Sequence, residues 1–197
     1  MRSPTLLLLF LLCGLCACSG DELVGVHVDL AKDGSGTVTL RAPEEVPPAE
    51  ARSEGAKWNL RASLVASQGT FEKVADLKIG DGGITFTPDL TGERPGLRVR
   101  LQRGPETPWI QALTPDAEAR QKMAKACDPT GRTREIADVL RIEVDAPGSI
   151  ITSGVLPTGR GVTADRDGER AVLLLPVRTA LEAGDEFVWE ISWLMPK

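Results

Sequence analysis

Leu23-Val24-Gly25-Val26-His27-Val28-Asp29-Leu30-Ala31-Lys32-Asp33-Gly34-Ser35-Gly36-Thr37-Val38-Thr39-Leu40 is the stretch on which the fold turns. Val24, Val26, Val28 and Leu30 alternate with Gly25, His27, Asp29 and Ala31, the period-two pattern of a half-buried strand. Residues 32–36 form a turn, with Asp33-Gly34 supplying the positive φ angles of a tight hairpin. Thr37 to Leu40 is β-branched and runs back. The predicted unit is a β-hairpin with one apolar face that something else must cover.

Further along, Trp58, Leu60, Ala62, Leu64 and Ala66 share one face of another alternating run. Thr70 is placed to cap a short helix, because Phe71, Val74 and Leu77 lie at helical spacing. Ile84 to Thr87 and Leu97 to Leu101 read as strands around the turn Asp81-Gly82-Gly83 and the joint at residues 93–96. Thr114-Pro115-Asp116-Ala117-Glu118 carries a capping hydroxyl, a first-turn proline and two acids at the positive dipole end. It predicts the main helix, running to about Cys127 and stopped by Pro129 and Gly131. The last third returns to strands at Ile136 to Val144, Ile150 to Thr152, Val162 to Ala164 and Ala171 to Leu175. Thr179 to Ala183 allows at most one helical turn, and Phe187 to Trp193 closes the chain with Phe187, Trp189, Ile191 and Trp193 on one face. Strands outnumber helices and no βαβ alternation is present, so the expected fold is α+β. It is a mostly antiparallel β-sheet with one main helix and one short helix packed on it, in a single domain over residues 23–195.

Ahead of this domain stands a different kind of segment. Met1-Arg2-Ser3 carries one positive charge, Leu6 to Leu12 is an unbroken apolar run, and small residues follow at Gly14 and Ala17. The run is far below the roughly 20 apolar residues of a membrane span, and has the length of a signal-peptide core. Leu15-Cys16-Ala17-Cys18 resembles the lipobox of bacterial lipoproteins, with leucine three residues before the cysteine and a small residue just before it. The resemblance implies diacylglyceryl transfer to the Cys18 thiol and cleavage between Ala17 and Cys18. Residues 1–17 are then a signal peptide, and residues 18–22 an anchor and short tether. Ser19 follows the cysteine where aspartate would resemble an inner-membrane retention signal. In a double-membraned cell the resemblance therefore implies the outer membrane, facing the periplasm.

The chain has 197 residues, a net charge of −5, one histidine and no tyrosine. With no basic cluster it is not expected to bind nucleic acid. With Cys18 acylated, Cys127 has no intramolecular partner after processing and reads as a small buried hydrophobe.

The opening hairpin, with its Asp33-Gly34-Ser35-Gly36 turn, has a companion in the closing run. That run holds Pro147-Gly148, Ser153-Gly154, Leu174-Leu175-Pro176 and Phe187-Val188-Trp189-Glu190-Ile191. Together they resemble the LppM-type domain of bacterial lipoproteins. The resemblance implies an α+β fold like that of lipid-transfer proteins, and an envelope lipid as ligand.

Candidate sites are few. His27 and Asp29 share a strand face and are a thin start for a metal site, which needs more ligands, so a solvated strand residue is the simpler reading. Asp165-x-Asp167-Gly168 lacks the later positions of a calcium loop and reads as a hairpin turn. Arg132 and Arg134 beside Gly131 suit an anion or a solvated loop. No Gly-x-Ser-x-Gly is present, and one histidine leaves little for hydrolase chemistry, so the chain is read as non-enzymatic, without cofactor or metal. Trp58, Trp189 and Trp193 have two readings: lining of an apolar groove for a lipid-like ligand, or core. The expected function is that of a membrane-anchored envelope lipoprotein binding an apolar or amphipathic ligand. The alternative is an adaptor docking on another envelope protein through residues 43–55 and the segment around Trp109.

Overall fold

In the computed structural model the described residues are 22–41, 55, 57–61, 66–107 and 139–195. Their strands are β1 (Glu22–Leu30), β2 (Gly36–Arg41), β3 (Lys57–Arg61), β4 (Ala66–Phe71), β5 (Lys78–Ile79) and β6 (Ile84–Asp89). They continue as β7 (Gly96–Leu101), β8 (Val139–Asp145), β9 (Ser149–Leu156), β10 (Thr163–Asp167), β11 (Arg170–Pro176) and β12 (Phe187–Leu194). A seven-stranded sheet has the order β10-β11-β8-β1-β2-β4-β3, and a five-stranded sheet the order β5-β6-β7-β12-β9.

The opening stretch forms the expected hairpin. Val26 pairs with Leu40 and Val28 with Val38, and all four side chains are buried. The Asp33 carboxylate accepts bonds from the Ser35 amide (3.0 Å) and hydroxyl (2.6 Å), and Gly34 takes φ 85°, so the Asp-Gly pair builds the turn as read. Gly36 is needed for closeness: a Cβ there would lie 2.0 Å from the Asp29 carbonyl oxygen.

The α+β expectation is corrected. Among the described residues the helical structure is one five-residue helix, α1 (Val177–Leu181), and a 3-10 turn (Val74–Asp76). No main helix covers a sheet there. Instead the apolar faces of the two sheets share one core, in which Val26, Val28, Leu140, Ile142 and Leu173 of the first meet Ile84, Val99, Leu101, Trp189 and Trp193 of the second. Alternation in a strand says that one face is buried, and another sheet buries it as well as a helix does. The short helix expected at Thr70 to Leu77 is also corrected. Thr70 and Phe71 remain in β4, paired with Thr37 and Gly36, and the 3-10 turn brings Val74 and Leu77 into the core. The helix expected from Thr114 to Cys127 lies outside the described residues.

One pairing departs from the antiparallel rule. β1 runs parallel to β8, with His27 opposite Glu143 and Asp29 opposite Asp145. On β12, Phe187, Trp189, Ile191 and Trp193 face inward as expected. A register shift against β9, between Ser192 and Trp193, keeps Trp193 in the core opposite Ile150.

The register also defines two ends. At one, Glu22 pairs with Val139, Val139 pairs with Pro176, and α1 follows Pro176 directly. Residues 157–162 pack against this end, where Thr179 Oγ1 donates to the Arg160 carbonyl at 2.8 Å. The Gly104 amide, beyond β7, donates to the Ala180 carbonyl at 2.8 Å. At the opposite end the β1–β2 turn meets the 3-10 turn, the Val74 amide donating to the Gly34 carbonyl at 2.8 Å.

Candidate functional site

Trp189 and Trp193 lie on the central part of the second sheet, four residues apart on the inward face of β12. Both are fully buried, and their rings meet side chains of the common core. Trp189 Nε1 donates to Ser153 Oγ at 3.0 Å. Trp193 Nε1 has no acceptor among the described atoms. Trp58 sits on β3, the edge strand of the other sheet, opposite Gly69. The structure thus brings two of the three tryptophans together and carries the third on a different sheet. In this conformation neither buried indole is open to a ligand. Cys18, Trp109, Cys127, Arg132, Arg134 and residues 43–54 lie outside the described residues.

His27 faces outward, as the alternation of β1 requires, but its partner is not Asp29. His27 Nε2 is 2.9 Å from Asp145 Oδ2, across the parallel pairing with β8. Arg170 on β11 completes the group, its Nε donating to Asp145 Oδ1 at 2.7 Å and its Nη2 to Oδ2 at 2.8 Å. One carboxylate thereby ties three neighbouring strands. Beside it on β8, Arg141 pairs with Glu143. A histidine oriented by a carboxylate is half of a general-base arrangement. Here Arg170 engages both carboxylate oxygens, and the residue opposite His27 on β2 is Thr39. The arrangement clamps β1, β8 and β11 on their outer face. Among the described residues no three His, Cys, Asp or Glu side chains are placed to hold a metal ion. Asp167-Gly168 forms the β10–β11 turn, with Gly168 at φ 59°.

The Arg170 guanidinium holds the Asp145 carboxyl below the usual carboxylate range; partial burial opposes this, and His27 adds to the lowering. Arg170 is raised in return. A carboxyl lowered on folding contributes stability that is full above its unfolded pKa, about 3.9, and disappears as pH falls through the folded value. Asp33 and Asp89 are lowered as well, by hydrogen bonds from Ser35 and Thr91, so the difference between variants is the useful reading. In urea titrations between about pH 6 and about pH 2, wild type is expected to lose more stability than Asp145→Asn. Parallel curves for the two proteins would show that the clamp adds nothing.

The outer face of the second sheet carries an open depression of about 400 Å³, lined by Thr87, Asp89, Arg98, Thr152, Glu190 and Ser192 among others. Arg98 pairs there with Glu190, with Nη2 to Oε1 at 2.7 Å and Nε to Oε1 at 2.9 Å. The Thr152 and Ser192 hydroxyls lie 2.6 Å apart. Asp89 is occupied by Thr91, whose hydroxyl donates at 2.7 Å. With Arg98 and Glu190 paired and the Asp89 carboxylate held by Thr91, this surface presents hydroxyls, an ion pair and one further negative charge, which suits a polar, hydrogen-bonding partner.

No family matches the chain in sequence, and no curated protein does. Among solved structures it is similar to the folded domain of the Mycobacterium tuberculosis LppM protein, solved by NMR. The TM-score is 0.39 at 11% identity, over 90% of this chain and 92% of that one.

Proposed function

We propose that this chain is a non-enzymatic lipoprotein of the cell envelope, acylated at Cys18, whose β domain is a docking module for another envelope component. The anchoring half of this reading rests on Leu15-Cys16-Ala17-Cys18 closing a short apolar run just ahead of β1. Among the described residues no helix is long and apolar enough to cross a membrane. The observation that carries the docking half is the closed core. Trp189 and Trp193 have no exposed surface, so the face expected to meet a lipid is filled by the protein itself. Recognition then falls to the outer surfaces, one of which carries the depression around Arg98, Glu190 and Ser192.

A second reading, binding of an apolar or amphipathic ligand, is supported by one detail: Trp193 Nε1 is buried without an acceptor among the described atoms. Leaving such a group unpaired costs about 1–3 kcal/mol, and a ligand offering an acceptor would recover it if the sheets parted. Photo-crosslinking in intact cells separates the two. A reactive residue at Ser192 is expected to give a discrete protein adduct, and one at Thr39 on the other sheet is not. Crosslinks to lipid alone would overturn the docking reading in favour of the second.

A further inference from the structure

We infer that the end of the domain where β1 begins rests on the bilayer surface, with Leu156 and Leu181 in contact with the lipid interface. The inference rests on the acylation of Cys18 proposed above. Three residues, Ser19, Gly20 and Asp21, separate Cys18 from the first residue of β1. A chain gains at most about 3.6 Å per residue, so the start of β1 stays within about 14 Å of the acylated cysteine. Glu22 and Pro176 are separated by β8 alone, two strand spacings or about 10 Å, and α1 leaves from Pro176. The tether therefore holds α1 close to the headgroups, together with residues 157–162 bound to it.

The distribution of exposed apolar side chains fits this placement. Three large hydrophobic residues among those described stand out into solvent: Leu156 at 68%, Leu194 at 45% and Leu181 at 37% exposure. Leu156 ends β9 at the tethered end, opposite Val188, and Leu181 ends α1 at the same end. Leu194 belongs to the other end, opposite Ser149. The charges around the two tethered-end leucines are mixed, with Arg160 and Arg178 exposed beside Glu182, Asp185 and Glu106. The contact is therefore carried by the leucines, and does not require anionic lipid. Two leucines are a weak membrane anchor on their own. On a domain already tethered, the second contact is intramolecular, and a weak one is enough to set orientation.

The test uses the full acylated chain in phosphatidylcholine vesicles, with an environment-sensitive fluorescent amino acid at position 156, 181 or 194. All three positions are exposed, so the replacement leaves the core intact. Emission from positions 156 and 181 is expected to shift to the blue and to be quenched by brominated lipid, with position 194 unchanged. If the protein floats with the vesicles while positions 156 and 181 behave like 194, the orientation is overturned and the anchor stands. If the purified chain does not float with vesicles at all, both fall.

Discussion

Replacing Cys18 by alanine, in a chain whose residues 1–17 are exchanged for an ordinary cleavable signal peptide, is expected to move the protein from the membrane fraction to the soluble fraction almost completely. Each buried methylene contributes roughly 0.8 kcal/mol, so the two acyl chains proposed at Cys18 would together hold the protein by roughly 20 kcal/mol or more. What remains without them, once the signal segment is removed, is a β domain with a few exposed leucines. The effect is close to all-or-none because two leucines cannot replace two acyl chains. With residues 1–17 left in place, the same substitution removes the acceptor thiol for lipid transfer, so processing between Ala17 and Cys18 should fail and the persisting signal segment should keep the protein on the membrane. Fractionation of cells expressing each form, read by immunoblot, checks both consequences. A Cys18→Ala protein freed of residues 1–17 that still stays with the membrane would mean that a partner or the domain itself, and not acylation, does the holding.

The second large effect concerns the core. Trp189→Ala is expected to cost about 3–5 kcal/mol, a large share of the roughly 5–15 kcal/mol by which domains of this size are stable. The ring is fully buried on the central part of the second sheet, against residues of both sheets, and its loss leaves a cavity that neighbouring strands cannot close. The hydrogen bond to Ser153 adds to the loss, because the hydroxyl is left without its donor. Ser153→Ala should cost less, about 1 kcal/mol. Urea denaturation of both variants gives the comparison. If Trp189→Ala unfolds at the same urea concentration as wild type, the indole is not part of the packed core, and the ligand-groove reading of the tryptophan face regains its footing.

Much of this fold could be read in advance, and the exceptions have physical causes. The opening hairpin was legible because the valine alternation and the Asp33-Gly34 turn are both local signals, and both act as local chemistry dictates. The inward face of β12 was legible for the same reason. What covers those faces was not, because Val26 looks the same beneath a helix as beneath a second sheet. The three-residue spacing of Phe71, Val74 and Leu77 misled because a strand end followed by a 3-10 turn buries the same positions as a helix does. The His27–Asp145–Arg170 clamp had no sequence signal at all. His27 and Asp145 are 118 residues apart, and they meet only through the parallel pairing of β1 with β8, which no hairpin pattern foretells. The tryptophan set was half legible. Trp189 and Trp193 share a face as their spacing requires, but a filled core and a lined groove demand the same inward-facing residues.

The account stands most directly on the covalent state of the chain, so the decisive measurement is the native mass of the protein extracted gently from its own membranes. A single species beginning at Cys18, carrying covalently bound acyl groups and no further lipid, is the result predicted for an anchored docking module with a closed core. A chain with a free Cys18 thiol would contradict the anchor, and a stoichiometric non-covalent lipid would contradict the closed core.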